Sequence, residues 1–205
     1  SRSLDGKEVP YISSFFQGYA DIGDPKPLLA NKGQMSVGTF FMGNGFLLDH
    51  GSADEMIRIN PKLSEVIFPV INGSDLNSDP QQKPGRRIIN FFDWSLSTAR
   101  AYGEAYAQID KLVKPYRESK ADPGKWWQHW RPRLELYKKI KGRPRCFVAA
   151  RTTKHLNFSE ACSDTVFTDA TYVFAVDLWD LYSIVECTLH EVWARKYSGA
   201  LKQDV

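Results

Sequence analysis

Arg86-Arg87-Ile88-Ile89-Asn90-Phe91-Phe92-Asp93 opens the stretch on which the reading of this 205-residue chain turns. Two arginines lead a short β-forming run that ends in a turn. Val113-Lys114-Pro115-Tyr116-Arg117 follows, then Trp126-Trp127-Gln128-His129-Trp130-Arg131-Pro132-Arg133. The stretch closes on Arg145-Cys146-Phe147-Val148-Ala149-Ala150-Arg151, with Lys154-His155 just beyond. Apolar runs of strand length alternate here with segments of helical spacing, so the expected class is α/β in the mixed α+β sense: a mixed sheet flanked by helices. Residues 83–154 carry 18 Lys and Arg against 6 Asp and Glu, a net charge of +12. The rest carries 9 basic and 18 acidic residues, a net of −9. A total of +3 therefore conceals a bipolar molecule. A polyanion is the partner such asymmetry favours; the plain alternative is a solvated basic helix face.

Working upstream, 77–85 reads as a polar loop and Asn72-Gly73-Ser74-Asp75 as a turn. Residues 66–71 read as a buried β-branched strand in which Pro69 marks an edge or a bulge. A helix over 53–59 is expected, with Ser52 as N-cap, Glu55 completing a capping box and Pro61 beyond its end. Residues 36–48 read as a hairpin turning at Gly43-Asn44-Gly45. Residues 1–34 are expected to be irregular, with turn signals in Asp24-Pro25-Lys26-Pro27 and an arbitrary boundary of a longer polypeptide at Ser1; 35–205 form the main domain.

Downstream, Asp93 or Ser95 caps a helix running to about Val113, bent at Gly103 and carrying Ala99, Tyr102 and Tyr106 on one face. Pro115 begins a basic loop. After the Pro123-Gly124 break a second helix is expected over 125–141, with Trp127, Trp130, Leu134 and Tyr137 as its apolar stripe and Gly142 as its C-terminal cap. Residues 146–150 form a buried strand. Short strands follow over 158–162, 166–167 and 172–176, then one long amphipathic helix over 177–197.

Composition narrows the class further. The chain is 42% hydrophobic, enough for a sizeable core. Three cysteines, Cys146, Cys162 and Cys187, are widely spaced and odd in number, which points away from a disulfide framework or zinc knuckle and towards a reduced, cytoplasmic compartment. No run reaches the roughly 18 apolar residues of a membrane span, so no membrane partner is expected.

Four motifs invite catalytic readings. Phe41-Met42-Gly43-Asn44-Gly45 matches the F-x-G-x-G pattern that holds S-adenosylmethionine, but that chemistry needs a helix next, and Phe46-Leu47-Leu48 reads as a returning strand. Nor does the chain contain the Asn/Asp-Pro-Pro-aromatic motif that grips a flipped adenine; Asn60-Pro61-Lys62-Leu63 departs from it twice. His190-Glu191-Val192-Trp193-Ala194 lacks the second histidine of H-E-x-x-H. Glu118-Ser119-Lys120 resembles a nuclease E-x-K element, whose aspartate should lie on a neighbouring strand, whereas Asp110 reads as helical. No catalytic or metal-ligating residue is therefore assigned. Binding readings fare better. Trp126, Trp127 and Trp130 interleave with Lys125, Arg131 and Arg133, in a pattern that suits base stacking or, more simply, core anchoring by Trp127 and Trp130. Arg151-Thr152-Thr153-Lys154-His155 leaves a buried strand with groups suited to guanine edges and phosphate oxygens.

Several elements together resemble one family. Pro69-Val70-Ile71-Asn72-Gly73-Ser74-Asp75-Leu76 is similar to the P-x-x-N-G-x-D-L segment of target-recognition, or specificity, domains in MmeI-like type IIG (type II) restriction-modification enzymes and related adenine-N6 DNA methyltransferases. Residues 88–93 resemble the family's I-I-D-F segment, with Asn90 in place of the usual aspartate. Val113-Lys114-Pro115-Tyr116-Arg117 resembles V-K-P-x-R. Trp126-Trp127 with Arg131-Pro132 resembles W-W…R-P, and Arg151-Thr152-Thr153-Lys154-His155 resembles R-x-x-K-H. The likeness runs from about Ser36 to Leu201. It implies a sequence-reading DNA-binding domain of a bacterial protein, itself non-catalytic. The methyltransferase domain of the same polypeptide would carry S-adenosylmethionine, the cofactor that this segment does without. Double-stranded DNA is the implied partner, with Arg86, Arg87, Lys114, Arg117, Arg131 and Arg133 as phosphate candidates and Arg151, Lys154 and His155 as base-edge candidates. Family members continue with a Tyr-Thr-Pro and Phe-Pro-Phe-Pro segment that lies beyond Val205. Two other readings stand beside this one: a small stand-alone enzyme, or a protein-interaction module working through its acidic ends.

Overall fold

Cys146-Phe147-Val148-Ala149-Ala150 is apolar at every position, so both faces of the strand it forms need cover. In the computed structural model, which describes residues 1–13, 16, 18, 26, 28–120 and 124–197, all five are buried. Ten short strands are described: β1 (Arg2–Leu4), β2 (Lys7–Val9), β3 (Met35–Val37), β4 (Leu47–Leu48), β5 (Ile67–Ile71), β6 (Arg86–Ile89), β7 (Cys146–Ala150), β8 (Ser159–Ala161), β9 (Val166–Phe167) and β10 (Thr171–Phe174). The eight α-helices are α1 (His50–Ile59), α2 (Gly73–Ser78), α3 (Leu96–Arg100), α4 (Gly103–Leu112), α5 (Lys114–Ser119), α6 (Leu134–Ile140), α7 (Trp179–Glu186) and α8 (Thr188–Tyr197).

The mixed α/β class is as expected, but there are two larger sheets where one was anticipated. The first has order β3-β10-β7-β8 and is antiparallel throughout. The second has order β4-β6-β5-β9, with a single parallel pair, β5 and β9. In the first sheet Cys146, Val148 and Ala150 share a core with Leu76 of α2 and Leu136 and Ile140 of α6. Phe147, on the opposite face, packs its ring against Trp179 and Tyr182 of α7. Under the second sheet Leu48, Ile67, Ile88 and Ile89 bury against Ala53 of α1, Ala99 of α3 and Ala105 and Ile109 of α4. Tyr137 packs against both cores, and its hydroxyl donates to Phe167 O (3.4 Å) while accepting from Phe167 N (3.2 Å). Burial holds that phenol well above its ordinary titration range.

The sheets meet along one backbone. Thr39 N donates to Phe167 O at 2.7 Å, and Thr168 N donates to Ile71 O at 3.0 Å. The chain at 167–168 is therefore bonded to the second sheet on one side and to the segment after β3 on the other. Gly38 makes the approach possible. A Cβ there would lie 2.2 Å from Thr168 O and 2.5 Å from Phe167 O.

A buried histidine fastens the tryptophan-rich segment to this frame. His129 Nε2 donates to Ile89 O at 3.0 Å, and its Nδ1 faces the Thr39 hydroxyl at 3.3 Å. Trp127 Nε1 and Gln128 Nε2 both donate to Trp94 O at 2.9 Å. Phe40 and Arg131 exchange backbone hydrogen bonds of 3.2 and 3.0 Å. This strap is not helical, contrary to the expectation for 125–141. Pro132 disfavours helix at the residue before it, and Arg133 is left-handed at φ 53°. Only Leu134–Ile140 is helix. The tryptophans consequently trade places: Trp126 is buried and Trp130 is 42% exposed.

Other expectations shift for local reasons. The 36–48 hairpin does not form: β3 pairs with β10, β4 pairs with β6, and Asn44–Phe46 is a 3-10 turn. Asp49, not Ser52, caps α1, accepting from Ser52 N at 2.8 Å, while Glu55 pairs with Arg58. The 72–75 turn is the start of α2, where Asn72 and Asp75 form a capping box. Ser95 caps α3, and the expected bend at Gly103 is a full break between α3 and α4. The basic loop after Pro115 is α5, with that proline in its first turn. The long C-terminal helix breaks at Cys187 into α7 and α8. Pro69 has a strand partner in Arg87 of β6 but none in the two-residue β9, so it lies on a local edge, as expected.

Residues 1–30 form a separate compact unit. Within it β1 and β2 make a hairpin, against the irregular structure expected for 1–34. Its turn is Asp5-Gly6, with φ 51° and 75°, the two positive values of a type I′ turn. The turn signals at 24–25 and 27, Pro123 and the chain beyond Tyr197 lie outside the described residues. No helix among the described residues is long and apolar enough to cross a membrane.

Gly38→Ala is expected to destabilise by about 2 kcal/mol or more, because the clash is with two backbone carbonyls that cannot rotate away; an unchanged urea midpoint would contradict it. Burial and the nearby Arg117 charge bring His129 down to about 4, with desolvation the larger cause. Between that value and the ordinary 6.5 the unfolded chain binds a proton and the folded chain does not, so stability is full above pH 6.5 and falls as the pH drops towards 4. At about 1.36 kcal/mol per unit the loss approaches ~3 kcal/mol. His129→Gln should flatten that slope in pH-dependent unfolding; equal slopes in both proteins would refute the assignment.

Candidate nucleic-acid interface

At the C-terminal ends of β5, β7 and β9 four segments converge. Arg151 follows β7 directly; its backbone N–H donates to Ala170 O (2.8 Å), and its guanidinium reaches Asp169 O (3.4 Å). Gly73, at the start of α2, comes against the same turn: a Cβ there would meet Ala170 O at 3.1 Å. Asn77 of α2 donates to Thr152 O at 2.9 Å. Gln82, in the polar loop, accepts from the Ser159 hydroxyl at 2.6 Å and donates to Leu76 O at 3.2 Å. Gly85 packs on Asp75, since a Cβ there would sit 2.9 Å from its Oδ1, and Arg86 comes next at the head of β6. The result is a continuous polar surface carrying Arg86, Arg151, Lys154 and His155, all exposed, with the amides of Asn77 and Gln82 beside them. Two hollows open on it, about 430 Å³ by Arg151, Asn77 and Asp169 and about 120 Å³ by His155, Asn77 and Gln82.

Three of these groups were not singled out by the sequence. Asn77 and Gln82 lay in what read as a loop, and Asp169 in an unassigned turn. The strong α2 capping box could have signalled that 72–78 is a structured platform. Thr153 is buried, and its hydroxyl donates to His155 O at 2.8 Å, which shapes the turn at Lys154. Lys154 O in turn accepts from Arg195 of α8 at 2.8 Å.

The remaining candidates lie elsewhere. Lys114 sits over the Trp126 ring at 5.5 Å and pairs with Asp110 at 3.6 Å. Arg131 and Arg133 are exposed on the strap. Arg117 is a correction: at 2% exposure it is a core residue, its guanidinium 4.9 Å from the Trp130 ring centre, so phosphate cannot reach it. Arg87 is partly buried and pairs with Asp54 at 3.7 Å. The acidic flanks also fold back elsewhere: Asp177 pairs with Arg143 (2.6 Å) and Glu160 with Arg145 (2.7 Å). Part of the bipolar charge is therefore neutralised within the fold.

Gly43-Asn44-Gly45 packs on Val113 and Leu112 rather than opening a cofactor turn. His190 Nδ1 lies 2.7 Å from Val185 O, and its ring stacks on Trp193. Glu118 is on α5, and the candidate partner Asp110 is on α4, not on a strand. Among the described residues no three His, Cys, Asp or Glu side chains gather where they could hold a metal ion.

The fold is thus that of a two-sheet α/β domain with a polar strand-end platform. No family model and no curated protein sequence matches the chain. Among solved structures it is similar to the type IIL restriction-modification enzyme MmeI, solved in complex with DNA, with a TM-score of 0.66 at 16% identity. That likeness covers 96% of this chain and 26% of the MmeI chain, so the present chain spans about a quarter of that protein. The fold of a restriction-modification enzyme segment is shared across almost its whole length.

Arg117→Ala is expected to lower stability by about 2 kcal/mol, the scale of a desolvated cation–π contact plus lost packing. Arg131→Ala, at an exposed side chain, should leave it within about 0.5 kcal/mol. Thermal melts of both variants decide the matter, and equal melting temperatures would return Arg117 to the surface candidates.

Proposed function

We propose that this chain is the target-recognition domain of a bacterial restriction-modification adenine-N6 DNA methyltransferase, acting on double-stranded DNA in the cytoplasm. The observation that carries this reading is the strand-end platform. Exposed guanidinium, ammonium and imidazole groups, with the Asn77 amide beside them, project from a backbone held by buried strands and a capped helix. Such groups match the donor and acceptor edges of bases in a major groove, and a rigid base under them allows sequence to be read. The likeness of 96% of this chain to a segment of MmeI, an enzyme solved with DNA, supports the same reading. Arg151, Lys154 and His155 are assigned to base edges. Arg86, on the same platform, and Lys114, Arg131 and Arg133, on the strap side, are assigned to phosphates; Arg87, held by Asp54, contributes less. Methyl transfer belongs to a separate methyltransferase domain of the same polypeptide, which would bind S-adenosylmethionine and take up the flipped adenine.

The chain alone is expected to bind duplex DNA weakly, with affinity falling by about 0.9 log units per log unit of salt for each phosphate neutralised. Binding unchanged between low and high salt would overturn the phosphate assignments. Built into the full polypeptide, Arg151→Ala should relax or shift the methylated sequence, because a guanidinium on guanine N7 and O6 is worth about 1–3 kcal/mol of discrimination. Arg131→Ala should lower methylation evenly across sites, because phosphate carries no sequence information. Methylome sequencing of cells carrying each variant separates the two, and an unshifted motif with Arg151→Ala would remove Arg151 from base reading.

A further inference from the structure

The second sheet has another site at its opposite end. β5 begins, β9 begins and β6 ends beside a cleft of about 550 Å³, within the size range of small-ligand sites. Arg86 pairs with Val70 at the platform end of this sheet, whereas Ile89 pairs with Ile67 at the cleft end, so the two sites are separated by the length of the strands.

The cleft wall is aromatic: Phe68, Phe92, Trp94 and Tyr137 line it. Phe92 holds a left-handed backbone, φ 47°, a costly state for a bulky residue. Its N–H is fixed to Asn90 Oδ1 at 2.9 Å, and its ring stands edge-on to Phe68 (5.5 Å) and Tyr137 (5.8 Å). Trp94 is pinned through its carbonyl by Trp127 and Gln128. The wall is therefore preformed. Its polar groups are of two kinds. Asp93 and Asp164 supply carboxylates, acceptors for amino groups, while Glu65 already accepts from the Tyr102 hydroxyl. Lys141, at the C-terminal end of α6, supplies a cation, and Lys138 supplies a second that is shared with Glu135 at 2.9 Å.

We propose that this cleft binds a single amino-bearing nucleotide, such as an adenine mononucleotide. One ligand then satisfies all three features: a planar ring against the aromatic wall, an exocyclic amino group donating to a carboxylate, and a phosphate facing the lysines. A cationic peptide side chain would meet the carboxylates but offer nothing to Lys141. The site takes a small molecule rather than duplex DNA, and it stands independently of the reading proposed for the platform.

The test is isothermal titration of the full chain with AMP, IMP, adenosine, inorganic phosphate and argininamide. AMP should bind with a dissociation constant below about 1 mM, and more tightly than IMP, which lacks the amino group, or adenosine, which lacks the phosphate. Lys141→Glu should weaken AMP by about tenfold, near the 1.4 kcal/mol scale of one lost charge-assisted contact, and leave adenosine unchanged. Asp164→Asn should narrow the preference for AMP over IMP. Both residues are exposed, and thermal melts of each variant confirm that the fold is kept. No saturable AMP binding up to about 1 mM, tighter binding of argininamide, or an AMP affinity untouched by Lys141→Glu would each overturn the proposal.

Discussion

The close passage of Gly38-Thr39-Phe40 beside Phe167-Thr168 is the constraint on which the rest of this structure depends. Two four-stranded sheets become one body because a single strand of backbone is hydrogen-bonded on both edges. Glycine is required at the point of contact, since a Cβ would penetrate two carbonyl oxygens. Thr39 extends the join by donating its hydroxyl hydrogen bond to Arg131 O at 2.9 Å, and Phe40 continues it through the backbone of Arg131. The tryptophan-rich strap is thereby laid across the end of the second sheet, and His129 locks it there. The same join places the ends of β5, β7 and β9 together, which is why the polar groups that follow them share one surface.

Charge tells a similar story of sequence and fold acting in opposite directions. The central segment is strongly basic along the chain, yet Asp54, Glu160 and Asp177 return from the acidic flanks to meet Arg87, Arg145 and Arg143. These pairs are partly exposed and worth little to stability. Their larger effect is on distribution: Arg86, Arg151 and Lys154 at the platform and Arg131 and Arg133 on the strap stay exposed. Arg117 is taken out of the count altogether by burial under Trp130.

Much of this was legible in the sequence. The β7 strand and the β5 strand with its edge proline followed from apolar patterning and from Pro, and Gly103 was marked as a bend where the structure has a full break. What was not legible came from contacts distant in sequence. Trp127, Trp130, Leu134 and Tyr137 have helical spacing, but the side-chain bonds to Trp94 and the backbone bonds to Phe40 outweigh propensity over 126–131. The 36–48 hairpin fails because each arm finds a partner far along the chain, β10 and β6, before it finds the other. Asp5-Gly6 carried a hairpin signal that composition obscured. Arg151, Lys154 and His155 were singled out as candidates from the strand they leave, whereas Asn77 and Gln82 come beside them only through the tertiary fold.

Hydrogen exchange on the full chain, with and without a mixed-sequence duplex at low salt, bears most directly on the account. DNA should slow exchange at 73–86 and 151–155, the segments that build the platform, and leave 92–94 and 137–141, around the aromatic cleft, at their free rates. Protection confined to the cleft or to α7 and α8, with the platform unchanged, would contradict the claim that the strand ends are where this protein meets DNA.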